Sequence, residues 1–231
     1  MNKYAIEIYF QHDRANWNFV TNPYELIEQI LMKEMDKLKE FRQKNLKIAD
    51  DYHRFSVKQK STTNQYEISE SLLTEHDYSS SIKYILKLEL TPSTSSKTFT
   101  IDDEISFYSR FATHEKLKSY IKRHNLMYIA IPEYISHGTY TYMNSTYKFL
   151  IMEQYRENLR SLISSYDQSL PEHNALNLFL QMLYVLQFLH EKNYVHQIIK
   201  PKYMMFANKQ PYFVYLTQFR TVKNVNESSK I

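Results

Sequence analysis

Only one of the 231 residues is glycine, Gly138. Average usage of about 7% would supply roughly 16, so any architecture that spends glycine on phosphate binding is starved here. A phosphate cradle needs several positions that reach φ > 0 or let the backbone approach a phosphate. Neither a P-loop nor a dinucleotide fingerprint can be assembled. Cysteine is absent, which removes disulfides, thiolate metal sites and a cysteine nucleophile. Hydrophobic residues make up 43% and charged residues 23%, a globular balance. The 29 basic and 25 acidic residues leave +4. That is too mild to argue for nucleic acid, which favours a concentrated basic face. The chain has no apolar run of about 18 residues, and charges interrupt its opening MNKYAIEIYFQHDRANW, so neither a membrane span nor a secretory leader is expected. The expected location is intracellular, cytoplasm or nucleus, with no membrane partner.

Residues 1–50 read as an extension. Alternation over 4–10 predicts a strand. Thr21-Asn22-Pro23 is a helix start. From 24 to 48 Leu26, Ile27, Ile30, Leu31, Met35, Leu38 and Phe41 recur at helical spacing, with Lys33, Glu34, Lys37, Lys39 and Glu40 opposite. This helix either packs on its own domain or mediates association. Strands are expected over 53–60 and 65–73 around the turn cluster Ser61-Thr62-Thr63-Asn64, and over 82–90. After a Ser/Thr-rich loop over 91–97, helices are expected over 101–111 and 115–125, the second basic and amphipathic. An apolar run over 128–131 stops at Pro132. Strands follow over 134–141 and 147–152, then a helix over 172–192 that is apolar nearly all round and so needs cover on every side.

The run FLHEKNYVHQIIKPKYMMF (188–206), followed by YFVYLTQFR (212–220), resembles the catalytic and metal-binding loops of protein kinases. Upstream, YILKLEL (84–90) is similar to the strand that carries the kinase lysine, here Lys87. DDEISFYSRF (102–111) is similar to the helix whose glutamate, here Glu104, pairs with it. KSYIKRHNLMYIAIPEYISHG (118–138) and YKFLIMEQY (147–155) resemble the vaccinia-related kinase family in particular. The resemblance implies an α+β, protein-kinase-like fold. Its small lobe would be an antiparallel sheet with hinge at 51–155, and its helical large lobe, over 156–231, would be cut short, after the helical extension at 1–50.

The same resemblance makes the chemistry look degenerate. Where the family keeps the aspartate that accepts the substrate proton, the chain has Ile198, in His196-Gln197-Ile198. The magnesium-binding asparagine is replaced by Tyr203, and the magnesium-binding aspartate by Gln218, in Gln218-Phe219-Arg220. A neutral amide is a weak substitute for a carboxylate on a hard dication. The phosphate-covering loop falls near Ser61–Asn64 and has no glycine. Lys87, Glu104, His196 and Lys200 remain, Lys87 and Glu104 either as a vestigial ATP-site pair or as an ion pair kept for packing. No magnesium site is expected, and no His-Glu-x-x-His or other metal spacing appears. The basic run Lys116, Lys118, Lys122, Arg123, His124 reads as a solvated face in preference to a phosphate contact.

The expectation is therefore a non-enzyme, a binding, regulatory or decoy protein toward a vaccinia-related kinase or its substrates. Its protein partner would be an active kinase, a kinase substrate or a second copy. The alternative is an ATP-binding or weakly active serine/threonine kinase with atypical site residues. The uncovered sides of the 172–192 helix would be met by the N-terminal helix, a second copy or another protein.

Overall fold

The computed structural model describes residues 5–10, 23–46, 52–59, 65–72, 81–91, 100–166, 170–207 and 213–226. The strands are β1 (Ala5–Phe10), β2 (Tyr52–Gln59), β3 (Gln65–Leu72), β4 (Ser81–Thr91), β5 (Tyr134–Tyr142), β6 (Ser145–Glu153), β7 (Tyr194–Val195), β8 (Met204–Phe206), β9 (Val214–Leu216) and β10 (Lys223–Asn224). The helices are α1 (Pro23–Leu46), α2 (Ile101–Phe111), α3 (His114–Arg123), α4 (Leu159–Tyr166) and α5 (Glu172–His190). Two compact units result: Met1–Ser96 with Ile135–Gln154, and Lys97–Tyr134 with Tyr155–Ile231.

The first unit is a six-stranded sheet in the order β1-β2-β3-β4-β6-β5. It is antiparallel at β2–β3, β3–β4 and β4–β6, while β1 runs parallel to β2. A parallel pair needs a crossover, and α1 supplies it. The apolar stripe of α1, from Leu26 to Leu38, is buried against Tyr84, Leu86 and Leu88 of β4 and Tyr147, Phe149 and Ile151 of β6. Polar ties fix it along β5. The Tyr140 hydroxyl donates to Gln29 Oε1 (2.9 Å), the Tyr142 hydroxyl to Glu25 Oε2 (2.5 Å) and Ser136 Oγ to the buried Glu34 carboxylate (2.5 Å). Lys37 Nζ completes that last group, 2.7 Å from Glu34. The helix thus packs on its own unit, and the idea that its apolar face covers the 172–192 helix is corrected: that face is already taken up by the sheet.

Gly138 has no positive φ. It is needed for close approach, since a Cβ there would lie 3.0 Å from Cε1 and Cζ of Phe149, a ring fully buried in the core. Gly138→Ala should therefore overpack the sheet and cost about 1–3 kcal/mol, read as a lowered urea midpoint. An unchanged midpoint would show that the ring can yield. Residues other than glycine occupy the left-handed positions: Asn125, Met143, Asn144, Asn193, Gln197 and Gln218. Asparagine is the side chain that tolerates this region best. Met143 and Asn144 form the two-residue turn between β5 and β6, and two consecutive positive φ values are what a tight hairpin of that length requires.

In the second unit, α2 begins at Thr100, whose N–H donates to Asp103 Oδ2 (2.8 Å), half of a capping box. Tyr128–Ile131 forms no strand. Ile129, Ala130 and Ile131 are buried as an irregular segment, and the Ala130 carbonyl accepts from Leu216 N–H (2.8 Å). Helix α5 buries Met182, Val185, Phe188 and Leu189. Leu176, Phe179, Leu180, Leu183 and Tyr184 are 41–60% exposed. The helix that reads as apolar all round is thus covered along one side. No helix among the described residues is long and apolar enough to cross a membrane.

Candidate functional site

The residues singled out around the catalytic-type motif, His196, Ile198, Lys200, Tyr203 and Gln218, all belong to the second unit. They lie on two loops fixed at both ends by short ladders. β8 pairs with β9, Met204 opposite Leu216, and β7 pairs with β10, Val195 opposite Lys223. Between the ladders the loops are cross-bonded. The Tyr203 carbonyl accepts from Thr217 N–H (2.8 Å) and from Thr217 Oγ1 (3.0 Å). Thr221 Oγ1 donates to the His196 carbonyl (2.8 Å). His196 Nε2 lies 3.1 Å from the Thr217 carbonyl. A carbonyl only accepts, so Nε2 carries the proton.

Aromatic rings close the frame from α2. Phe219, fully buried, stacks on Phe107 with centroids 4.3 Å apart and planes 9° from parallel. It meets Tyr108 edge-on at 5.5 Å and His196 edge-on at 5.1 Å. Burial pushes the His196 imidazole below its ordinary value. The Thr217 hydrogen bond and the Glu104 carboxylate oppose that push without reversing it. Burial also raises the Tyr108 phenol well above its ordinary value, and Glu104 adds to this. An imidazole held neutral in the fold stabilises fully above its unfolded value near 6.5, and that contribution is lost as pH falls from there toward the lower folded value. Acidification from pH 7 to 5 is expected to lower the melting temperature. His196→Gln, which keeps an N–H donor, should flatten that slope; an unchanged slope would assign the titration elsewhere.

Gln197 and Gln218 both sit in the left-handed region, at φ 65° and 73°. For residues with a Cβ this is stored strain, and such strain clusters at functional sites. Ile198 is half-buried and donates its N–H to the His196 carbonyl (2.9 Å). Lys200 is exposed and starts the helical turn Pro201–Tyr203. The Lys202 ammonium lies over the Tyr203 ring at 4.6 Å. With its amide oxygen toward Arg220, Gln218 accepts from Nε (2.6 Å) and Nη2 (3.1 Å).

These residues do not fit magnesium. An isoleucine, a phenol and an amide already held by a guanidinium offer no carboxylate to a hard cation, and Arg220 adds like charge beside the position. Among the described residues no cluster of three or more His, Cys, Asp or Glu side chains could hold a metal.

Lys87 is half-buried on β4, opposite Leu150 of β6. Its neighbours Leu86 and Leu88 point into the α1-covered core, so alternation directs Lys87 to the other face. Lys87 belongs to the first unit and the buried Glu104 to the second. The phosphate-covering loop expected near Ser61–Asn64 lies outside the described residues.

No protein-family model matches the chain. Among curated proteins, human serine/threonine-protein kinase VRK2 is 33% identical over 116 residues, covering 50% of this chain and 23% of that protein. Monkeypox virus B1 kinase is 26% identical over 139 residues, 60% of this chain and 44% of that one. Among solved structures, vaccinia related kinase 3 matches with a TM-score of 0.51 at 21% identity, covering 73% of this chain and 51% of that one. The chain is a vaccinia-related-kinase-like protein of protein-kinase fold. It spans less than half of the curated relatives it matches. The α+β, kinase-like architecture expected from the motifs is thus what this vaccinia-related-kinase-like chain has.

One expectation is corrected. The relatives are named as kinases, among them VRK2, B1 kinase and the Drosophila nucleosomal histone kinase 1, which overturns the expectation of a non-enzyme. The physical reason lies in how the reaction is catalysed. Phosphoryl transfer is mostly positioning and electrostatics, and a general base supplies about 10²–10⁴ of the rate. Losing that base slows a reaction without removing its other contributions.

Proposed function

We propose that this chain binds ATP and transfers its terminal phosphoryl group, weakly, to serine or threonine hydroxyls of a protein, using atypical site residues. The observation that carries this reading is the intact frame of the two loops. The His196–Thr217, Thr221–His196 and Thr217–Tyr203 bonds hold both loops in register although their acidic residues have been replaced. A relic free to drift would have no reason to keep a buried histidine bonded to the neighbouring loop. The names of the relatives support the same reading.

The bond from phosphorus to the bridging oxygen of ATP breaks, and a bond from phosphorus to the acceptor oxygen forms. The hydroxyl proton leaves to solvent or to a phosphoryl oxygen, because Ile198 cannot take it. In a loose transition state charge builds on the phosphoryl oxygens more than on the nucleophile. The exposed Lys200 ammonium, on the same loop as Ile198, can offset such charge without a base. No step passes through a metal ion.

The test uses the whole chain with a fluorescent ATP analogue, with and without magnesium, followed by radiolabelled ATP and a serine-rich acceptor protein. Saturable binding that does not depend on magnesium is expected, with label on serine or threonine that falls about tenfold or more in Lys200→Met. Absence of saturable binding up to millimolar nucleotide would overturn the proposal.

A further inference from the structure

Helices α2, α3 and α5 of the second unit border an open groove of about 620 Å³, whose Arg110 donates to the Tyr194 hydroxyl of β7 (3.4 Å). Its lining includes Arg110, Lys116, Arg123 and Lys192, with Glu115 as the one acidic member. Its floor is aromatic and closed: Tyr120 is 3% and Phe188 1% exposed. Cations lie over these rings, Lys192 Nζ at 4.2 Å from the Phe188 centroid and the Arg123 guanidinium at 5.3 Å from that of Tyr120. His124 stacks on Tyr120 at 4.1 Å. Lys116 Nζ is anchored on the Arg110 carbonyl (2.6 Å) at the C-terminal end of α2. Glu191 lies at the rim, accepts from the Tyr120 hydroxyl (3.2 Å) and pairs with Arg123 at 3.7 Å. It offsets one charge, and the lining stays positive. The Lys192 ammonium is pushed down, first by burial and also by Arg123, against the pull of Glu191. An anion in the groove would relieve that strain.

We propose that this groove docks a phosphorylated serine or threonine segment of a partner protein. Two arginines and two lysines around one concavity match a phosphate dianion, which arginine binds in bidentate fashion, and arginine clusters are a recurrent way of reading phosphorylated motifs. The state of the rings decides against a nucleotide or single-stranded nucleic acid. Base recognition in such sites relies on open aromatic faces, whereas Tyr120 and Phe188 are buried, and the half-buried Phe111 is already engaged by the Arg110 guanidinium (5.2 Å) and, edge-on, by Tyr194 (5.0 Å). Recognition is left to the cationic tips. The proposal stands independently of phosphoryl transfer by the chain itself.

The experiment measures fluorescence anisotropy of a labelled serine peptide in phosphorylated and unphosphorylated forms, and of a short labelled oligonucleotide, against the whole chain. Arg110→Ala and Arg123→Ala remove groove charges; Arg160→Ala, on the exposed side of α4, removes one elsewhere. All three positions are exposed, so unchanged melting temperatures should accompany the variants. Each groove variant should weaken the phosphopeptide about tenfold, the loss of one charge-assisted bond, while Arg160→Ala changes nothing. Equal binding of both peptides, tighter binding of the oligonucleotide, or an equal loss in Arg160→Ala would each overturn the docking site.

Discussion

Ile198→Asp is expected to raise phosphoryl transfer to serine by about 10²–10⁴, the range that a positioned general base contributes. The loop is ready for it. Ile198 is only half-buried, so a carboxylate keeps access to water, and its N–H stays bonded to the His196 carbonyl whatever the side chain. Gln197, at φ 65°, sets the direction of the backbone before it. The new carboxylate should also give the rate a limb near pH 4, where an aspartate titrates. Ile198→Asn, similar in size but without a base, should leave rate and pH profile alone. A rate unchanged in the aspartate variant would mean that proton removal does not limit the reaction, and that the weakness lies in nucleotide binding.

Phe219→Ala should be strongly destabilising, costing about 3–5 kcal/mol out of the roughly 5–15 kcal/mol that holds a domain together. The ring is fully buried, and Phe107, Tyr108 and His196 are arranged around it. Truncation leaves a cavity with no flexible neighbour to fill it. A large drop in urea midpoint should come with loss of near-ultraviolet dichroism, since aromatic packing disappears together with stability. Phe219→Leu keeps most of the volume and should cost less than about 1.5 kcal/mol. A small effect of the alanine variant would mean that the stack closes without its central member.

Much of this was legible before the structure. The helix expected over 101–111 is α2. The stripe of α1 from Leu26 to Leu38 is spaced for one face and is buried along it. The loops at 196–203 and 217–220 were recognisable because their motif keeps histidine, proline and phenylalanine in order. What escaped has physical causes. Thr217 and Thr221 bond to backbone carbonyls, and a hydroxyl that does so carries no sequence signature. The parallel pairing of β1 with β2 joins residues on either side of a helix, which local alternation cannot reveal. The buried face of α5 could not be chosen because nearly every position is apolar. The basic run of α3 reads as a solvated face until Arg110 of α2 and Lys192, just beyond the end of α5, are brought beside it.

The way α1 is used has a practical consequence. A shortened chain starting at β2 would lose the strand alongside it and the lid over Leu86 and Phe149 in one stroke. Unsatisfied amides along the new margin, next to a greasy surface, are a template for sticking to other molecules. Attempts to isolate the kinase-like portion by trimming its front should therefore yield inclusion bodies, whereas the intact polypeptide brings its own cover.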